Sequence, residues 1–136
     1  MLIMTKDAAL LAIRPAIAAE LPPAADGTVG DFLHRTLRPV LKLQNEPLLA
    51  AVATFLRDHH VPFVSAPPDE RGRYLTELLG RNVKLRYTII GLIIGLFTAA
   101  EADFYAAHRS EFNRRLLELA QHRVLDQAAA VAAQLS

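Results

Sequence analysis

The sequence predicts an all-α chain: one domain, residues 1–136, folded as a helical bundle of five or six helices around a buried central helix at about residues 82–107. Three observations lead there. Apolar residues recur at helical spacing in nearly every segment between turn signals. Those segments open on cap-forming residues or proline and close on glycine or proline. One uncharged apolar stretch, Tyr87 to Ala100, lies between Arg86 and Glu101 and has the length of a buried helix. As a helix it would span about 21 Å, short of the roughly 30 Å of a bilayer's hydrocarbon core, so no membrane span is expected.

Along the chain, residues 5–20 are rich in alanine and leucine, with Thr5 as a cap and Pro15 as a kink or stop. Leu21 to Gly30, with two prolines and two glycines, reads as a loop. Asp31 to Leu43 sets Leu33, Leu37, Val40 and Leu41 against His34, Arg35, Arg38 and Lys42, an amphipathic helix in which Pro39 predicts a kink. Asn45-Glu46-Pro47 begins the next helix, and Leu48, Val52, Phe55 and Leu56 form its apolar face. His59 to Val64 is an irregular connector, and its two histidines read as surface residues. Ser65 and the two prolines after it start a helix that carries Tyr74, Leu75, Leu78 and Leu79 and stops at Gly80. Asn82 caps the central helix. Ser110 and Glu111 restart a final helix whose alanine-rich tail is expected to fray.

Composition narrows the function classes. Hydrophobic residues make up 52% of the chain and charged residues 21%, enough apolar surface for a core. Fifteen basic residues against fourteen acidic ones leave a formal charge of +1, so no general attraction to nucleic acid or anionic membrane is expected. Cysteine is absent, which removes disulfides, thiolate catalysis and thiolate-bound metals. Nothing at the first residues reads as a signal peptide, and a cytoplasmic location is expected.

The central helix carries the most information. At about 100° per residue, Gly91, Gly95, Ala99, Ala102 and Ala106 share one arc, a small-residue stripe that admits a close helix crossing within the chain or across a dimer. Opposite lie Ile90, Ile94, Phe97, Phe104 and Tyr105. Ile90, Ile93, Ile94 and Phe97 are expected to be nearly inaccessible. Glu101 falls within that bulky stripe, with His108 at almost the same azimuth. A carboxylate there must be paired, protonated or facing a cavity. The structural reading pairs it with Arg123, with Arg35 and Arg38 as alternatives. The functional reading is a ligand pocket of Glu101, Tyr105, His108 and Arg123.

Catalytic and metal motifs are missing. No Gly-x-Gly-x-x-Gly, phosphate loop or Gly-x-Ser-x-Gly occurs, and no serine has a credible base. No Glu-x-x-His pair suits a di-metal bundle; Glu118 and His122 are spaced for one face of a helix but lack further ligands, so no metal and no cofactor are expected. Tyr74 to Phe97 superficially resembles a helix-turn-helix about Gly80-Arg81-Asn82, but its second helix offers isoleucines where base edges need polar groups. The leading expectation is a non-catalytic interaction module that self-associates as a homo-oligomer, not an enzyme. The second is a small-molecule-binding domain, or an enzyme, with its pocket near Glu101.

Overall fold

The computed structural model describes residues 4–15 and 27–136, and every described element is helical. Helix α1 is Lys6–Ala12, capped by the Thr5 hydroxyl accepting from the Ala8 amide. It ends three residues before Pro15, which disfavours helical backbone at the residue preceding it. The expected continuation to residue 20 and most of the loop read at 21–30 lie outside the described residues.

Helix α2 covers residues 29–43 in three pieces: α-helical over Val29–Phe32, π-helical over Leu33–Leu37 and α-helical over Arg38–Leu43. Pro39 is the reason. It has no amide hydrogen and its ring crowds the carbonyl four residues back. The chain widens by one residue per turn there, and the Arg38 amide donates to the Leu33 carbonyl. The predicted kink is thus accommodated as a π-turn within one helix.

Helices α3 (Asn45–Asp58), α4 (Pro68–Arg81), α5 (Val83–Ile94) and α7 (Arg109–Asp126) build the core. Helix α5 lies at its centre, packed against α3, α4 and α7. Its Leu85, Ile89 and Ile93 are fully enclosed, with Val52 and Leu56 of α3, Leu75 of α4 and Leu116 of α7. Asn82 caps α5 through the Leu85 amide, as the sequence predicted.

Two expectations about the C-terminal half need correction. The central helix does not run unbroken to residue 107. It stops at Ile94, and a separate helix α6 occupies Ala99–Ala107. The alanine-rich tail does not fray from the body. It forms α8, Ala128–Leu135, which packs on α3 and α4 with Val131 and Ala132 buried. The Gln134 carbonyl also accepts from the Arg57 guanidinium at 3.2 Å. A break at Gln127 turns the chain so that the tail's apolar side meets α3. These breaks give eight helices among the described residues where the sequence predicts five or six.

An aromatic cluster ties the ends of these helices together. Phe32 of α2 stacks on Phe104 of α6 at 4.7 Å and meets Phe97 and Phe112 edge-on at 5.5 and 5.1 Å. Tyr105 closes the group against Phe112 at 5.4 Å. Ile90, Ile93 and Phe97 are buried as predicted; Ile94, the last residue of α5, is only partly so.

Candidate functional site

The break between α5 and α6 positions Glu101. Gly95 ends α5 without a side chain to pack, and Thr98 starts α6. The Thr98 hydroxyl accepts from the Glu101 amide at 3.3 Å, and Glu101 Oε1 accepts from the Thr98 amide at 2.8 Å. This reciprocal pair is a capping box, which satisfies two amides at the start of α6. Asp7 of α1 accepts a third, the Ala99 amide, at 3.1 Å. Both carboxylates thus sit where the helix dipole favours negative charge.

The cation is Arg14, not Arg123. Its guanidinium forms a two-pronged pair with Glu101, Nη1 to Oε2 at 2.6 Å and Nη2 to Oε1 at 2.5 Å. Nη2 also donates to the Leu96 carbonyl at 3.0 Å. The Thr36 hydroxyl, on the π-turn of α2, adds a bond to Oε2 at 3.2 Å. The two charged side chains keep only 9% and 15% of their exposure, so this is a largely enclosed ion pair. Burial pushes the Glu101 carboxyl up, but the bonds from Arg14 and Thr98 and the charge of Arg14 outweigh it. The net effect holds the carboxyl below its ordinary value.

The residues read as one pocket are therefore dispersed. The Tyr105 hydroxyl donates to Asn113 Oδ1 at 2.7 Å, inside the aromatic cluster. His108 stacks on Phe104 at 4.3 Å and lies 3.0 Å from the Phe104 carbonyl through Nδ1. Arg123 lies near the far end of α7, bonded to Asn45 Oδ1 at 3.4 Å. The other named alternatives are also elsewhere: Arg35 pairs with Asp31 one turn away, and Arg38 neighbours Arg123. The azimuth assigned to Glu101 assumed an unbroken helix. Four non-helical residues reset the phase, so the position on the bulky stripe does not carry over.

The small-residue stripe is likewise divided by the break. Gly91, Gly95, Ala99, Ala102 and Ala106 are all exposed. A Cβ added at Gly91 would meet nothing within 4 Å, so no described helix crosses there. Beside it, Val83 and Tyr87 stand 62% and 68% exposed. Spaced four apart, Val83, Tyr87 and Gly91 form one ridge along α5. A groove of about 270 Å³ adjoins it, lined by Ile90 of α5 and by Asn113 and Leu117 of α7.

Glu118 pairs with Arg114 at 3.0 Å, and among the described residues no three His, Asp or Glu side chains gather as metal ligands do. No described helix is long and apolar enough to cross a membrane. No protein-family model, no curated protein and no solved structure matches the chain.

Proposed function

We propose that the chain is a non-catalytic helical interaction module that associates with a second copy of itself through the outer face of α5. The observation that carries this reading is the ridge of Val83, Tyr87 and Gly91, apolar, exposed and unpartnered among the described residues. A two-fold interface has to be self-complementary, and a knob beside a groove suits it because each copy presents both. Tyr87 supplies the knob and the groove between α5 and α7 supplies the hole. The glycine one turn beyond Tyr87 lets a partner backbone come close. The absence of cysteine fits a reducing compartment, and the reading places the module in the cytoplasm.

A ligand role for Glu101 has less support, since both carboxylate oxygens are already taken by Arg14, Thr36 and Thr98. Light scattering after size-exclusion chromatography, over a wide range of loading concentrations, tests the proposal. The expected result is a concentration-dependent dimer that Tyr87→Ala or Gly91→Leu shifts to monomer without loss of helicity. A wild-type chain that stays monomeric at several hundred micromolar would overturn it.

A further inference from the structure

A second feature lies on the opposite stretch of α7 and is independent of self-association. A groove of about 420 Å³ runs between α2 and the end of α7. Buried Leu41 and partly buried Leu119 give it an apolar floor, and Arg38 and Arg123 stand within it. Neither guanidinium has a carboxylate partner among the described residues. Arg38 Nε is shut off from solvent with no hydrogen-bond partner among the described residues. Arg123 has one acceptor, Asn45 Oδ1, and at 3.4 Å that bond is long. Burial, and then the neighbouring charge of Arg38, pulls the Arg123 pKa down, which marks two like charges held close together.

The local framework keeps them there. Asn45 and Gln127 exchange two amide bonds of 2.8 Å, and Gln127 Nε2 also donates to the Arg123 carbonyl at 3.0 Å. The start of α3 is thus fastened to the end of α7 directly behind the arginines. Asp126 lines the same groove but is exposed and pairs with neither guanidinium, so it does not neutralise them. Exposed His122 adds a ring nitrogen.

We propose that the groove between α2 and α7 binds a phosphomonoester with a small apolar body, its dianion held between Arg38 and Arg123. Guanidinium forks match phosphate oxygens two at a time, and two cations match two negative charges. The apolar floor of Leu41 and Leu119 distinguishes an ester from bare phosphate, because it offers an organic group somewhere to bury.

Titration calorimetry with phenyl phosphate, at constant ionic strength, tests this, with inorganic phosphate and benzoate as comparison probes. Saturable one-to-one binding is expected for phenyl phosphate, weaker for the other two. Arg38→Gln and Arg123→Gln should each weaken it by about tenfold or more, the loss of one charge-assisted contact. Arg109→Gln, about 21 Å away at the other end of α7, should leave it unchanged. Without ligand, both glutamine variants should melt no lower than the wild type, since each relieves a like-charge pair; lower melting would mark the arginines as structural and count against the site. No saturable binding, equal affinity for phenyl and inorganic phosphate, or an equal loss in Arg109→Gln would overturn the proposal.

Discussion

At the scale of single residues, the Glu101 carboxylate and the Arg14 guanidinium settle how a charge can sit within the fold. Glu101→Gln keeps the shape and the capping contact but strands Arg14. The expected cost is about 2–4 kcal/mol, between that of a charge-assisted bond and that of a fully enclosed pair. Urea melts should give a clear coupling energy between Glu101→Gln and Arg14→Gln, and none between Glu101→Gln and Arg123→Gln. The pair also fixes a pH dependence. The folded carboxyl lies below its ordinary value, so its stabilisation is complete above the unfolded pKa of about 4.3 and is lost as pH falls through the folded value. The wild type should therefore lose stability steeply below about pH 4, and Glu101→Gln should show a shallower slope across the same window. Parallel slopes would mean that Glu101 is not the group responsible.

At the scale of elements, helix ends decide most of the topology, and they were unequally legible. Asn82 before Val83 and Pro68 at the start of α4 act as their residue types predict. Thr98-x-x-Glu101 is an equally clear signal in the sequence, and reading it as a capping box would have placed the start of α6. Hydrophobic continuity from Tyr87 to Ala100 obscured it, because periodicity alone cannot mark a break that keeps both sides apolar. Arg14 had no such signal: it lies 87 residues from Glu101, and only the fold brings α1 to the start of α6. The groove of Arg38 and Arg123 is only half visible in the sequence: each residue stands out as a cation near an apolar face, but nothing in their spacing brings the two together. Helix-end energetics can be checked directly. Thr98→Ala should cost about 1 kcal/mol through the lost cap. The two glycines of α5 should respond with opposite sign. Gly91→Ala should gain about 0.5–1 kcal/mol of monomer stability, because its Cβ has open space. Gly95→Ala should lose stability, because its Cβ would stand 3.0 Å from the Gly91 carbonyl oxygen, a backbone atom with little room to move. His60, at φ 54°, ends α3 in the left-handed region, with its amide bonded to the Arg57 carbonyl and the Val61 amide to that of Leu56. That is the glycine position of a Schellman turn, so His60→Gly should stabilise by about 0.5–1 kcal/mol. Chemical denaturation of the four variants at one protein concentration gives all four signs.

At the scale of the whole molecule, segments from both parts of the chain fasten the bundle. Helix α1 reaches the start of α6 through Asp7, and Arg14 joins Glu101 just after it. At the other end, α8 lies over α3 and α4 with Val131 fully enclosed and Leu135 partly so. The composition of α8, mostly alanine, suggests little adhesive power. Its position says otherwise, because small side chains let it lie close to α3, where Leu49, Val52, Ala53 and Leu56 are buried. Deleting residues 128–136 should therefore do more than remove a tail. It would lose the burial of Val131 and Leu135, each worth about 1.5–3 kcal/mol when complete, and would uncover the side of α3 beneath them. A loss of at least about 3 kcal/mol is expected, a large fraction of the 5–15 kcal/mol that holds a typical domain folded. Val131→Ala alone should reproduce a smaller part of it, because it empties a fully enclosed site without exposing α3. If the truncated chain unfolds at the same urea concentration as the full one, α8 is no part of the cooperative core. Hydrogen exchange on the full-length protein offers an independent check: amides in the middle of α8 should be protected nearly as well as those of α3, since a docked helix of this length has no stability of its own.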